Sequence, residues 1–540
     1  METSILLLYP TSVKVILSEL LLVFTVFLSV LKLLQVFGKS RKSKEWDKFD
    51  GQNEDPYKAY KSLPGPRPFP IRLIGNILML VSKTGALDKF LELAKKYGPC
   101  YRLVFFGEDY VVLNTPSAAQ AIMLSTDPGH FRRGALQERL WPESMEGLLI
   151  YTGEKWKARR KILTRPFLYK ALQLHNPCFY KQCGRMIKEL DEHFSDGNIH
   201  VVDDLLKQCI FKMSSEILMG VDLSETEDGE IFCESLETFM SKSFDRIFRP
   251  WLFIKWIWHI SSHYRETQQA MRRMEKVTQK VFAKYLEKMK QESAMISTVD
   301  SENNLVEEVP NDLSYTMTEV MLRHGLTEKQ ILDEIVTMLL VANDTTAVAM
   351  EYALFMIACH PEHQEICRQE VDAVFDDPSK NKNGVLDFEA LKDLKYLERC
   401  IQESQRMHPL GSTMRTLDTP LRINEELVIP PNVSVFVLAH VLHHNPDYFP
   451  NPQKFDPDRF LPEQVRERHP YAYIPFTAGP RVCLGMKLAL LELKVMVATI
   501  LRNFEITTVD KREDVKAVMD GIVKPAKPIR FIFKKRYHVI

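Results

Sequence analysis

The chain has 540 residues, 45% of them hydrophobic, and its 71 basic side chains balance its 71 acidic ones. That neutrality excludes a protein held to nucleic acid by bulk charge, and the length is enough to bury a sizeable core. Nine cysteines with no CxxC pair exclude a small disulfide-stapled secreted module and point to a reducing compartment.

Residues 15–31 are apolar apart from Glu19 and small hydroxyls, and Leu33, Leu34, Val36 and Phe37 extend the stretch past Lys32. Such a run is long enough to cross a bilayer core. Lys39, Arg41, Lys42 and Lys44 follow at once, without a convincing small-residue cleavage site. The expectation is an uncleaved anchor helix over residues 1–37, single-pass, with the bulk of the chain on the cytosolic side. Residues 38–70 read as a basic and proline-rich linker, ending in LPGPRPFP, which is too rich in proline for a helix or a central strand. Residues 71–540 are then expected to form one catalytic domain.

Within that domain, residues 87–97 have helical periodicity, and residues 101–113 alternate as a strand or a hairpin with a turn near Gly107. Trp156 and Arg160 lie four apart on one helix face, where an indole N–H and a guanidinium can point at one anion. Residues 201–219 and 271–290 read as helices. Between them Trp251, Trp256 and Trp258 crowd into eight residues beside Arg249 and Lys255, which suits a membrane–water interface or an aromatic core. Residues 292–312 are polar and without period, and are expected to be a flexible loop.

Thr327 and Gln330 form a capping box, and helical spacing then runs to Cys359 before Pro361 stops it. A helix of that length must cross the whole domain. Its apolar middle is interrupted by Asn343-Asp344-Thr345-Thr346, residues that are poor helix formers and costly to bury. A cost of that kind suggests function, since an acid and a hydroxyl together can deliver protons. Further on, Glu403 and Arg406 are an i,i+3 pair, and Arg459 follows within FDPDRF.

The stretch 475–503 begins with a loop containing Gly479, Pro480 and Gly485 and continues as a helix with Leu484, Leu488, Leu491, Val495 and Ala498 on one face. Cys483 therefore sits at a helix N-terminus, where free N–H groups favour the thiolate, a metal ligand or nucleophile.

The spacing Phe476-x-x-Gly479-x-Arg481-x-Cys483-x-Gly485 resembles the haem-binding signature of the cytochrome P450 (haem-thiolate monooxygenase) family at all five defining positions. The resemblance extends from the anchor to the C-terminus. It implies a mainly α fold with a small β region, haem b with Cys483 as the axial iron ligand, and insertion of one oxygen atom from O2 into a hydrophobic substrate. It also implies that Trp156, Arg160, Arg415 and Arg481 hold the haem propionates and that Glu403, Arg406 and Arg459 form a structural triad. Asp344 and Thr345 match the family's acid–threonine pair, with Ala342 where a glycine is usual. No dinucleotide or flavin motif is present, so electrons from NADPH are expected through the reductase of the endoplasmic reticulum, with cytochrome b5 as a further candidate partner.

Within the family, the layout looks like the group with fatty-acid omega-hydroxylases and many insect enzymes. Some of that group tie haem through a glutamate ester, and Val341 stands at that position here, so no such link is expected. Fatty acids, steroids or terpenoids, and xenobiotics all remain as substrate classes. A haem-thiolate isomerase or dehydratase acting on peroxides is an alternative, though such enzymes usually lose the acid–threonine pair. A catalytically impaired haem-binding protein is another, and Val341-Ala342 would suit it.

Overall fold

The capping box at Thr327 starts the longest buried element of the molecule. The Thr327 hydroxyl accepts from the Gln330 N–H at 3.4 Å and the Gln330 amide accepts from the Thr327 N–H at 3.1 Å. The helix then runs Glu328–Ala358 without a break, about 46 Å at the standard rise. It is buried on almost every face, because helices Asp203–Met219, Ser262–Val299, Lys395–Met407 and Met486–Asn503 all pack on it. In the computed structural model the short helix Met317–Arg323, helix Pro361–Phe375 and strand Phe504–Thr508 also touch this rod. The structure describes residues 55–68, 75–80, 84–140, 146–222, 227–299 and 316–537.

Helices dominate, and the β structure is small. Cys100–Phe105 and Glu108–Leu113 form an antiparallel hairpin whose two loop residues, Phe106 and Gly107, both have positive φ, the backbone a two-residue hairpin needs. Phe106 bears that conformation with its ring held 4.1 Å from the ring of Phe253. Glu108–Leu113 then pairs in parallel with Ser434–Leu438, which pairs with Ser412–Thr416, the strand that carries Arg415. A second sheet of three strands gathers Phe504–Thr508, Arg530–Lys535 and His200–Val201. Residues Ala59–Ile540 form one compact unit. Within it the proline-rich segment lies on the first hairpin: the Arg102 N–H donates to the Pro64 carbonyl at 2.8 Å, and a Cβ on Gly65 would meet the Arg102 carbonyl.

Three local expectations change. Helix Ser262–Val299 continues through the first part of the stretch expected to be a loop, and residues 300–315 lie outside the described residues. The tryptophan cluster divides: Trp258 is buried with the Arg246 guanidinium 4.1 Å from its ring, while Trp251 and Trp256 are exposed. Helix Met486–Asn503 is buried on nearly all faces rather than along one stripe, since four helices surround it. The expected anchor, residues 1–37, lies outside the described residues. Among the described residues no helix is long and apolar enough to cross a membrane.

All nine cysteines are free thiols. In the Glu403–Arg406–Arg459 group, Glu403 and Arg406 are fully buried and Arg459 is partly exposed. Arg406 Nε donates to Glu403 Oε2 at 2.6 Å, Arg459 Nε lies 3.3 Å from Glu403 Oε1, and the remaining Arg406 N–H groups reach the carbonyls of His443 and Pro452. Burial still raises the Glu403 pKa, with both arginines opposing it. The Asp456 N–H donates to the same carboxylate, so this cluster ties helix Lys395–Met407 to the segment leading into the Cys483 loop.

Candidate functional site: a thiol facing the central helix

The Cys483 loop is built by backbone geometry. The Cys483 N–H donates to the Phe476 carbonyl at 3.0 Å, closing an eight-residue loop in which Thr477 and Gly479 both have positive φ. Gly479 is obligatory, because a Cβ there would stand 1.7 Å from the carbonyl oxygen of Met123. Gly485 is different. Its φ of −83° is open to any residue, and a Cβ would meet nothing within 4 Å. That position leaves room in a cavity instead of shaping the chain, which corrects the expectation that Gly485 bends the loop.

The Cys483 side chain faces this cavity, of about 340 Å³, and on the other side Val341, Ala342, Thr345 and Thr346 of the central helix line it. Backbone N–H groups of Gly485 and Met486 and the Arg160 guanidinium favour the thiolate, as expected at a helix N-terminus. Burial outweighs them, and the thiol pKa is raised rather than lowered. The sulfur is accessible from the cavity yet enclosed by protein otherwise. A bound metal ion would deprotonate such a thiol outright.

Beside the thiol lies a group of arginines that form no ion pair among the described residues, with Glu138 acting on Arg133 through space. Arg133, Arg415 and Arg481 come from three distant parts of the chain, with Arg133 and Arg415 joined by a β-bridge. Arg481 donates to the Phe131 and Tyr151 carbonyls, both at 3.0 Å, with its guanidinium 4.0 Å from the Trp156 ring. Arg415 donates to the Met414 carbonyl and borders a small void with Arg481. Burial and mutual repulsion pull Arg481 down to about 8, burial and the neighbouring Arg415 pull Arg133 down to about 9, and burial alone pulls Arg415 down to about 10. No carboxylate pairs with any of the three among the described residues, and Nε of Arg133 and of Arg481 has no partner. Enclosed cations in this arrangement fit a ligand that brings its own carboxylates. Haem, with an iron for the thiol and two propionates for the arginines, satisfies both deficits.

The other expected residues fall around this centre in ways their spacing does not reveal. Arg160 donates to the Val482 carbonyl at 2.8 Å, bracing the thiol loop, and Trp156 lies beneath Arg481. Thr345 lines the cavity, and its hydroxyl donates to the Val341 carbonyl at 2.7 Å. Asp344 is enclosed on a different face of the helix, with Oδ2 unpartnered and with Lys524, Lys207, Glu237 and Asp520 as its charged surroundings. Burial raises its pKa. The acid and the hydroxyl are thus adjacent in sequence without converging on one point.

Two groups escaped the sequence reading. Arg133 carries no local signal, since its partners lie hundreds of residues away. Glu334, one of several buried acids, did have one: an acid within the apolar run of the central helix. It is buried, accepts from the Leu148 N–H at 2.9 Å and lies 3.3 Å from Arg159, and burial lifts it to about 7. With the Thr337 hydroxyl donating to the Glu146 carbonyl, it clamps the loop that brings Leu148 and Leu149 to the cavity.

Comparison with known proteins agrees with this geometry. The sequence matches the family described as Cytochrome P450 over residues 64–533. It is 28% identical over 492 residues to cytochrome P450 4c21 of Blattella germanica, covering 90% of this chain and 96% of that protein. It is 29% identical over 489 residues to cytochrome P450 4c3 of Drosophila melanogaster, covering 88% and 89%. Human cytochrome P450 4V2 is 28% identical over 474 residues, covering 86% and 88%.

Proposed function

The chain belongs to the cytochrome P450 family, a haem-thiolate monooxygenase therefore, and from that premise we propose that it hydroxylates an apolar substrate, a fatty acid before a steroid, terpenoid or xenobiotic. The observation that carries the haem site is the pairing of a cavity-facing thiol with three arginines that lack carboxylates. Haem bound there supplies activation of dioxygen with electrons derived from NADPH. The chain's own residues do the rest.

Cys483 would hold the haem iron, with the Gly485 and Met486 N–H groups and Arg160 favouring the thiolate. Arg133, Arg415 and Arg481 would hold the propionates, and the Trp156 ring lies against the Arg481 guanidinium. Thr345 places its hydroxyl at the cavity wall, its proton on the Val341 carbonyl, and Asp344, its pKa raised by burial, lies on the face toward Lys207 and Lys524. Ala342 narrows the space over the thiol by one methyl. Leu148, Leu149, Met338, Leu410 and Ile522 exclude water and favour a hydrocarbon chain.

The absence of any nucleotide-binding motif in the sequence supports electron delivery by a separate NADPH-dependent reductase, with cytochrome b5 as an accessory donor. The apolar amino-terminal stretch supports an endoplasmic-reticulum anchor with the catalytic unit on the cytosolic face. The test is the carbon-monoxide difference spectrum of the reduced protein beside Cys483→Ala, followed by NADPH and oxygen consumption with reductase and lauric acid. A strongly red-shifted band that the mutation removes, with consumption yielding hydroxylated product, is expected. A haem-loaded, folded protein without that band would sink the reading, and product from a peroxide without reductase would favour an isomerase.

A further inference from the structure

A second cavity, of about 740 Å³, lies apart from the thiol, between helix Ala86–Tyr97, the end of the central helix, the short helix Ala439–His443 and the segment from Thr508 to Ala517. Along that segment Lys511 and Glu513 are exposed while Arg512 between them is half-buried, in a turn closed by the Asp514 N–H on the Lys511 carbonyl at 3.0 Å. Its one hydrogen-bond partner among the described residues is the Gln453 amide oxygen at a long 3.4 Å. Among the described residues no carboxylate forms an ion pair with it. Asp510, two residues earlier, is committed to the backbone and side-chain N–H groups of Arg530; Glu513 and Glu403 act on Arg512 through space, as do Cys359 and Arg406, and His408 and His444 lie nearby. Burial keeps His408 and His444 uncharged, at about 3 and about 4, so they do not compete for an anion.

His408 is the second independent observation. Its ring lies in the wall of both cavities, stacked on Tyr352 at 4.2 Å, and its enclosed Nε2 has no hydrogen-bond partner. An enclosed ring nitrogen without a partner is costly unless a ligand satisfies it. Asp88 and Glu513 also border the outer cavity, so its wall is mixed in charge. Arg512 is nevertheless its half-buried unpaired cation, with Lys516 nearby, and Leu87, Leu91 and Val515 supply an apolar side.

We propose that this cavity binds an amphipathic organic anion, its carboxylate or phosphate head on Arg512 with Lys516 flanking, and its apolar part against Leu87, Leu91 and Val515. His408 is then shared between this ligand and the substrate cavity. The volume suits one molecule of drug size. Because one ring belongs to both walls, occupancy of either cavity alters the other, and the coupling must be reciprocal.

The test uses the full-length holoenzyme with its substrate cavity closed by a haem-ligating azole such as clotrimazole, whose absorbance shift reports occupancy. Equilibrium dialysis of radiolabelled decanoate and of decyl phosphate is expected to show one further equivalent bound per chain, and the tighter of the two identifies the head group. Arg512→Gln weakens it about ten-fold, and Lys516→Gln about two- to three-fold, while both variants keep the wild-type carbon-monoxide spectrum. Decanoate at saturation shifts the azole affinity in the native protein and not in Arg512→Gln. Loss of all binding once azole is present would overturn the proposal. So would unchanged affinity in both variants, equal displacement by decyltrimethylammonium, or an azole affinity indifferent to decanoate.

Discussion

Two clusters of enclosed arginines in this molecule differ in one respect. Around Glu403, Arg406 and Arg459 find a carboxylate at 2.6 and 3.3 Å, and the leftover N–H groups reach carbonyls. Around the thiol cavity, Arg133, Arg415 and Arg481 form no ion pair among the described residues; they meet each other, carbonyls and an aromatic ring, with Glu138 acting on Arg133 only through space. The first cluster is complete as the chain folds. The second is complete only with a guest, so an unpaired buried charge here marks a binding site where a paired one marks a joint.

The sharpest way to break this comparison is to unpair the complete cluster. Glu403→Ala strands two guanidinium groups and is expected to cost on the order of 3–5 kcal/mol, abolishing folded protein with or without haem, as expression and thermal melting would show. Asp344→Asn comes next: an ionisable carboxyl is lost, and product formation falls on the order of 100-fold in assays with reductase, while haem content stays normal. A rate equal to wild type would remove Asp344 from proton delivery. Arg133→Gln takes one cation from the incomplete cluster. It is expected to leave apoprotein melting unchanged or higher, since repulsion is relieved, yet to weaken haem retention about ten-fold in a transfer assay to apomyoglobin. Lower apoprotein stability would mean that the two clusters do not differ in kind.

The smallest effect concerns Glu334. Its pKa rises from 4.5 to about 7 on folding, so between those values the folded chain binds more protons than the unfolded one. Stability must then decline as pH rises through that window. Glu334→Gln removes the decline, and over the single pH unit below 7 the two proteins should diverge by about 1 kcal/mol in denaturant titrations. Parallel curves would show that Arg159 and the Leu148 N–H already hold the charge in full.

What the sequence disclosed was whatever is local. The capping box at Thr327, the hairpin turning at Gly107 and the Cys483 loop are each written in a few adjacent residues, and each is present. The thiol pKa was misjudged because the helix N-terminus is visible in sequence while burial is not, and burial dominates. The same limit hid Arg133, whose meaning depends on a bridge to Arg415, and the divergence of Asp344 from Thr345, which depends on what packs against each face of the central helix. Residues 292–299 misled for another reason: their polarity fits a loop and a helical extension equally well.

The Arg133–Arg415–Arg481 arrangement also has a timetable. Arg133 leaves the ribosome about 350 residues ahead of Arg481, on the order of twenty to seventy seconds at ordinary rates of synthesis. Gly479 cannot settle against Met123, nor Arg481 over Trp156, until that interval has passed. The nascent chain therefore carries half a socket through most of its own manufacture, and the guest that neutralises it can be installed only as a closing act.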